Sequence, residues 1–364
     1  MPNNKKHHYV PKFYLRNFSS DGRSIALYSM GADRMVVGAS IKNQCQEAYL
    51  YGNDSHREDA FCQLEGVAAA ILLTLINRSI PPTELSAEHQ LLIFYMVTQH
   101  ARTVYAGEEY EENYDKMMRY LLRLTLPQEG VKCEDLDKVR FVPSDPIGKV
   151  LVTTIRKYPL LLDLRGVVLS NRTGSGFITS DNPVVLYNQL LEDRRFAGNT
   201  GFQSVGLQVY FPVSADIAVL YYDRDVYGVG RRNPSTIFVE SLLDVQQLNA
   251  LQFLNAAENV YFDHRRNDAH EVSREFDSLR GRRRIRKMNL ISQDESPIKP
   301  DETKNLVGCF REEVRNDLRL SFLNTLKRAT SAKPKLMAGM FVRRPFHPAS
   351  PVQRGSKYER SNVP

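Results

Sequence analysis

The 364-residue chain contains no Trp and only four Cys, at positions 45, 62, 133 and 309. The cysteines have neither the close spacing of a zinc site nor the density of a disulfide-rich secreted domain, which excludes both classes. P-loop, HExxH, GxSxG and CxxC motifs are also absent, so the sequence carries none of these nucleotide-binding or catalytic signatures. The longest apolar runs, 67–73 and 91–97, are shorter than the roughly 20 residues of a membrane span. We therefore expect a soluble, cytoplasmic protein with no membrane partner.

The formal net charge of +7 is concentrated at one end of the chain. Residues 265–364 contain 23 Lys and Arg against 12 Asp and Glu, whereas the preceding 264 residues contain 26 basic and 30 acidic residues. A basic region attracts phosphate-rich molecules at long range, so we expect it to contact nucleic acid. The alternative is a solvated extension that keeps the protein soluble.

Hydrophobic patterning predicts an α+β fold, with an N-terminal hairpin and a helical bundle followed by a mainly antiparallel sheet. A basic helical extension is expected at 266–330, and a disordered tail rich in Pro, Ser and Arg at 331–364. The predicted helices span residues 54–77, 86–105, 108–124, 145–158, 244–256 and 310–328. The predicted strands span residues 24–29, 34–37, 160–170, 176–180, 184–187, 205–213, 217–222 and 260–262.

The most distinctive stretch is HHYVPKFYLRNF at residues 7–18. Chain starts are usually polar and frayed, whereas this one carries four aromatic rings and is apolar enough to be packed. Neighbouring side chains of an extended segment point to opposite faces, so one of its two histidines faces inward, and we expect this to be His8. A neutral imidazole can act as a base or bind a metal. The alternative is that the His8 ring bonds a backbone carbonyl and fixes the N-terminus to the core.

Other candidate polar side chains lie on one face of a predicted helix or at the end of a predicted strand. Glu58 and Glu65 are two helical turns apart, and Gln99 and Arg102 are one turn apart on the next helix. An Arg that emerges from a buried helix needs an anionic partner, which Glu58 or Glu65 can supply. Asp181 follows an apolar strand in Ser-Asp-Asn-Pro, where it is either a functional carboxylate or part of a turn.

These pieces together resemble DUF4238, an uncharacterised bacterial family. The resemblance rests on residues 7–18, on Glu65, on Gln99 with Arg102 and Thr103, and on the TSDNPV segment at 179–184. The segments 211–212 and 249–255 also match later blocks of the family. The resemblance covers roughly residues 5–265, so we assign residues 1–265 to one family-like domain. The family name implies no activity, and the basic last hundred residues lie outside the resemblance.

A histidine with several carboxylates suits Mg²⁺ or Mn²⁺, and such an ion can activate water and bind a phosphodiester. The leading hypothesis is therefore a metal-dependent nuclease that acts on RNA or DNA as a toxin or an anti-phage defence effector. The expected catalytic residues are His8, Glu65 and Asp181. The expected metal ligands are His8, Glu58, Glu65 and Asp181. The expected substrate-binding residues are Arg16, Gln99, Arg102 and Asn182.

Two alternatives have different consequences. In the first, the protein is a non-catalytic nucleic-acid- or ligand-binding sensor whose pocket is lined by Tyr9, Tyr14 and Arg102. In the second, a network of His8, Glu65 and Arg102 is purely structural, and its loss lowers the melting temperature without changing any activity.

Overall fold

The computed structural model describes residues 6–52, 55–125, 136, 138–194, 198–282, 288–291, 308–311, 316–337, 341–343 and 358–360. Its helices are α1 (Lys12–Leu15), α2 (Ser55–Arg78), α3 (Ala87–Ala101), α4 (Val104–Thr125), α5 (Pro146–Ile155), α6 (Leu242–Asn255), α7 (Ala269–Arg280) and α8 (Lys327–Met337). Its strands in the first half are β1 (Lys6–His8), β2 (Ser24–Ser29), β3 (Arg34–Ser40), β4 (Gln46–Ala48), β5 (Arg165–Asn171) and β6 (Thr179–Ser180). The remaining strands are β7 (Val185–Tyr187), β8 (Gln208–Pro212), β9 (Ile217–Tyr222), β10 (Tyr227–Val229), β11 (Thr236–Val239), β12 (Asn259–Phe262), β13 (Met288–Ile291), β14 (Gly308–Arg311), β15 (Leu323–Thr325), β16 (Phe341–Arg343) and β17 (Tyr358–Arg360).

Two sheets form the centre of the fold and confirm the α+β class. The larger has the order β11-β5-β9-β8-β7, and its strands are antiparallel except for the parallel pair β11 and β5. The smaller, β3-β2-β12-β6, is antiparallel throughout and contains the expected N-terminal hairpin of β2 and β3. Strand β9 is buried at every position, as its continuous apolar run predicts.

The opening stretch is packed into the core, as the sequence predicts. Tyr14 is fully buried, and its hydroxyl donates to the Pro212 carbonyl at 2.7 Å and lies 2.7 Å from Thr179 Oγ1. Its ring stacks on Phe211 with centroids 5.2 Å apart. Burial of these aromatic rings offsets the entropy cost of ordering the chain start. Helix α1 therefore has a fixed position between β6 of the smaller sheet and β8 of the larger sheet.

The long helices follow the predicted apolar stripes. Helix α3 begins after Ser86, whose hydroxyl accepts from the His89 N–H, and is central to the core. Helix α2 packs Ala68 and Leu75 inward. Helix residues His56–Arg78 contain an 18-residue window of mean hydropathy 1.6, long and apolar enough for a membrane span, although core helices of soluble proteins also meet this criterion. The expectation of no membrane partner stays a prediction.

The predicted start of α6 at residue 244 is wrong, because the helix begins at Leu242. Ser241 caps this helix by accepting from the Asp244 N–H at 3.4 Å, whereas the Asp244 carboxylate accepts from the N–H and hydroxyl of Ser321. The Asp244 carboxylate, one turn into the helix, thus binds a segment near the C-terminus. Rules for local helix capping cannot predict such a long-range contact.

The predicted helix at 310–328 is also wrong. Residues 308–311 form β14, and Leu323–Thr325 form β15, which pairs with β10. Leu318 and Phe322, which share a face in the predicted helix, lie outside any helix and are buried against the larger sheet. Core packing and strand pairing override the helical spacing.

The predicted disorder is wrong for 331–337, which belong to α8, for 341–343, which form β16, and for 358–360, which form β17. The rest of 331–364 lies outside the described residues. Arg343 anchors β16 to the core and is 5% exposed. Its guanidinium bonds to Asp163 at 2.8 Å through Nε and donates to three carbonyls, those of Leu160, Phe202 and Ser204. The domain boundary at 265 stays a prediction, but residues of 318–336 share one core cluster with the larger sheet.

We predict that Arg343→Ala lowers the free energy of unfolding by about 3–5 kcal/mol, because it leaves Asp163 and three carbonyls without their buried donor. Urea denaturation followed by circular dichroism measures this change. The control is Arg156→Ala at an exposed Arg, which is expected to change stability by less than about 0.5 kcal/mol. Equal stability of the two variants would contradict an anchoring role for Arg343.

Candidate functional site

The N-terminal strand β1 sets the positions of both histidines. It pairs antiparallel with β4, so that His7 lies opposite Glu47 and His8 opposite Gln46. His7 is 4% exposed and His8 is half-buried. The expectation that His8 is the inward histidine is therefore wrong, because the register of β1 against β4 turns His7 toward the core.

His7 is part of a buried stack beside α2. Its Nδ1 accepts from the Tyr51 N–H at 3.2 Å, and its ring lies parallel to the Tyr51 ring with centroids 5.3 Å apart. Its Nε2 lies 3.6 Å from the Glu58 carboxylate. Glu58, which was expected to bind a metal together with His8, thus lies against His7.

His8 has one ring nitrogen fixed and one open. Its Nε2 lies 3.1 Å from the Lys42 carbonyl, and a carbonyl only accepts, so Nε2 carries the hydrogen. Desolvation lowers the pKa of His8, although this hydrogen bond opposes the effect. The ring is therefore neutral near pH 7, with its lone pair on Nδ1. No described residue supplies a hydrogen-bond partner for Nδ1, so that atom is available to a ligand.

Arg102 is the centre of a buried network that joins three segments. It is 1% exposed, and its Nη1 donates to Glu65 at 2.8 Å, which confirms the expected carboxylate partner. Its Nε donates to the Tyr9 carbonyl at 3.1 Å and to Gln99 Oε1 at 3.0 Å, and Gln99 Nε2 donates to the same carbonyl at 2.8 Å. The guanidinium also lies over the Phe61 ring. Helices α2 and α3 are thus tied to the start of the chain.

Two buried polar groups in and beside this network make no hydrogen bond within the described part of the chain. Arg102 Nη2 and the Tyr95 hydroxyl are both buried, and neither has a hydrogen-bond partner among the described residues. Burial alone lowers the pKa of Arg102, but the neighbouring Tyr51, Glu65 and Tyr95 outweigh this and raise it. The guanidinium therefore stays charged with one face unsatisfied.

Asp181 belongs to a different set of contacts. Its carboxylate accepts three backbone N–H groups, from Ala257 at 2.8 Å, Glu258 at 2.6 Å and Asn259 at 2.9 Å. These bonds fix the turn between α6 and β12. Asn182 exchanges side-chain to backbone bonds with Asn255 at the end of α6. Asp181 and Asn182 therefore hold the two sheets against α6. Their hydrogen-bond partners are distant in sequence, unlike those of a local turn.

The structure thus places the expected site residues in separate parts of the molecule. Glu65, Gln99 and Arg102 are brought together, and His8 lies close enough for Glu65 and Arg102 to act on its pKa. Arg16 is exposed at the end of α1 and is not part of that network. Among the described residues, no group of three or more His, Cys, Asp or Glu is placed to hold a metal ion. Mg²⁺ or Mn²⁺ binding stays a prediction.

A cleft of about 780 Å³ opens beside the network. Family-like segments supply part of its wall, namely Tyr9, Thr103 and Asp181. Four aromatic side chains line it, from Tyr9, Tyr28, Tyr105 and Phe253. In the described part of the chain, one basic side chain lines the cleft, that of Arg280, and seven carboxylates do, those of Asp33, Glu47, Glu108, Glu109, Glu112, Asp181 and Glu258.

Arg280, the one basic side chain that the described residues contribute to the lining, already has carboxylate partners. Arg280 pairs with Asp33 and with Asp277, the latter at 2.9 Å, and lies over the Tyr28 ring. The Tyr28 hydroxyl donates to Asp33 as well. The lining is therefore strongly acidic, a property that the sequence reasoning missed. The acidic run at the start of α4 was a usable signal, but nothing local shows that it faces β4 and the end of α6.

The sensor alternative places Tyr9, Tyr14 and Arg102 in the lining of one pocket, but the structure separates these three residues. Tyr9 lines the cleft, whereas Tyr14 is fully buried and Arg102 is 1% exposed, so both are enclosed in the core. The network therefore supports the wall of the cleft from behind.

Comparison with known proteins gives one result. The family model described as "Protein of unknown function (DUF4238)" matches residues 6–266, and the chain belongs to this family. No curated protein and no solved structure matches the chain.

We predict that Arg102→Met lowers the free energy of unfolding by about 3 kcal/mol, because Glu65 and the Tyr9 carbonyl lose a buried donor. The double variant Arg102→Met/Glu65→Gln is expected to cost less than the sum of the single variants, since their carboxylate and guanidinium interact directly. Thermal and urea denaturation measure both effects.

The matched control is an exposed ion pair. Arg224 lies 2.9 Å from Glu84, and both side chains are about half exposed, so Arg224→Met is expected to cost less than about 1 kcal/mol. Additive effects at Arg102 and Glu65 would show that the two groups are not coupled.

Proposed function

We propose that the protein is a ligand-binding module whose acidic, aromatic cleft takes a small organic cation. The observation that carries this proposal is the lining of the cleft, in which the described residues contribute seven carboxylates and one basic side chain. A volume of about 780 Å³ lies in the range of small-molecule sites. The proposal corresponds to the binding or sensor alternative rather than to the nuclease.

Two physical effects favour a cation in this cleft. Clustered carboxylates in a concave, partly desolvated surface concentrate positive charge. Aromatic faces also attract ammonium groups, and Tyr9 and Tyr105 contribute aromatic rings to the lining. A polyanion such as RNA is repelled by the same surface. An amine or a quaternary ammonium compound therefore fits this chemistry better than a nucleic acid.

We predict that spermidine and choline, used as probes, bind with a dissociation constant that rises with salt concentration, because screening weakens charge attraction. Isothermal titration calorimetry measures this binding. Glu47→Gln and Glu258→Gln are each expected to weaken the binding of at least one probe about tenfold, through loss of a charged contact. The control Glu240→Gln changes an exposed carboxylate outside the lining and is expected to leave binding unchanged.

Inorganic phosphate serves as an anionic probe in the same experiment and is expected not to bind. Binding of phosphate in the cleft, or equal binding of the cations to both cleft variants and to the wild-type protein, would refute the assignment.

A second candidate is metal-assisted phosphodiester hydrolysis, acting in a toxin or anti-phage defence effector. The observation that favours it is the geometry of His8. A ring whose Nε2–H is held by a backbone carbonyl leaves Nδ1 oriented as a ligand or base, which is how metal-binding histidines are commonly fixed. Glu65 lies nearby with one oxygen on Arg102. The nucleic-acid partner of the basic region belongs to this proposal, and its Arg-rich segment 283–287 lies outside the described residues.

We predict for this candidate that RNA or DNA is cleaved with Mg²⁺ or Mn²⁺, that EDTA abolishes cleavage, and that His8→Gln reduces the rate at least about 100-fold. His264→Gln, at an exposed His, is the control and is expected to retain full activity. Gel electrophoresis of labelled oligonucleotides measures the rate. Cleavage that survives in His8→Gln, or no cleavage with either metal, would eliminate this candidate.

A further inference from the structure

Within the described part of the chain, no strand pairs with the outer edge of β11 in the larger sheet. Strand β11 is the outermost strand of the order β11-β5-β9-β8-β7. The carbonyls of Ser235 and Val239 accept from Val168 and Arg172, so they face β5. Backbone groups of successive residues in a strand point to opposite edges, and therefore the N–H and C=O groups of Thr236 and Phe238 point away from the sheet.

Apolar side chains accompany this edge. Phe238 is 57% exposed, and Leu242 and Leu243 shortly after the strand are 49% and 60% exposed. Arg172 covers one face of the Phe238 ring at 5.0 Å. An edge strand with exposed large apolar side chains is a site for pairing with another strand, which natural proteins otherwise avoid.

The charges that flank β11 define the orientation of a partner strand. Arg231 and Arg232 precede the strand and Glu240 follows it, and all three are exposed. When two such strands run antiparallel, the basic end of each lies next to the acidic end of the other. A parallel arrangement would place like charges together.

We propose that β11 is a self-association surface, in which two copies of the chain pair β11 to β11 antiparallel about a two-fold axis centred near Ile237. Thr236 of each copy then lies opposite Phe238 of the other, and their outward N–H and C=O groups exchange hydrogen bonds. Phe238, Leu242 and Leu243 cover this junction, and the flanking charges pair across it. An isologous contact of this kind closes into a dimer rather than a fibre.

Light scattering coupled to size-exclusion chromatography, over a range of concentrations, tests this proposal with the full-length protein. The wild-type chain is expected to be a dimer that dissociates on dilution. Phe238→Glu is expected to raise the dissociation constant at least about tenfold, since it removes an apolar contact and places two like charges at the junction. The control Leu73→Glu changes an equally exposed apolar residue, 58% exposed on α2, and is expected to leave the dimer intact.

Charge reversal tests the orientation. Arg231→Glu and Glu240→Arg are each expected to weaken the dimer, and the combined variant Arg231→Glu/Glu240→Arg is expected to restore it. Circular dichroism checks that each variant is folded. A wild-type monomer at every concentration, a dimer insensitive to Phe238→Glu, or no recovery in the combined variant would overturn the antiparallel β11 interface.

Discussion

The rest of the described structure depends on the ion pair and the hydrogen bonds that the buried Arg102 guanidinium makes. The guanidinium is a charge in the interior, where a counter-charge and hydrogen-bond acceptors offset the cost of desolvation. Glu65 neutralises it, and the Tyr9 carbonyl and Gln99 accept from it. Because these partners come from α2, α3 and the first residues of the described chain, one buried group fixes the relative positions of three segments.

The same network determines the form of the cleft. Tyr9 contributes its carbonyl to Arg102 and its side chain to the cleft wall. Asp181 fixes the opposite part of the wall by holding the turn at 257–259 through three N–H bonds. The residues that carry the family resemblance therefore act mainly as supports. The carboxylates that give the cleft its charge, such as Glu47 and Glu258, lie outside the motif segments.

Several features were accessible from the sequence because they depend on local pattern. Apolar spacing predicted α2 and α3, the continuous run of β9 predicted a strand buried on both faces, and the aromatic content of residues 7–18 predicted a packed chain start. The need of Arg102 for a carboxylate also follows from its place on a buried helix. Where long-range contacts compete with local preference, the pattern failed. Residues 310–328 have helical spacing, yet Leu323–Thr325 pair with β10 as a strand and Phe322 is buried against the larger sheet.

The sequence by itself thus determined the α+β class, the packing of the N-terminal motif and the existence of a buried Arg–carboxylate pair. These properties follow from periodicity and from the cost of burying a charge. The tertiary structure alone decided that His7 rather than His8 faces inward, that Asp181 binds backbone N–H groups, and that carboxylates from β4, α4 and the α6–β12 turn share one cleft. Strand register and the approach of distant segments control these outcomes, and neither is encoded in any short stretch of the chain.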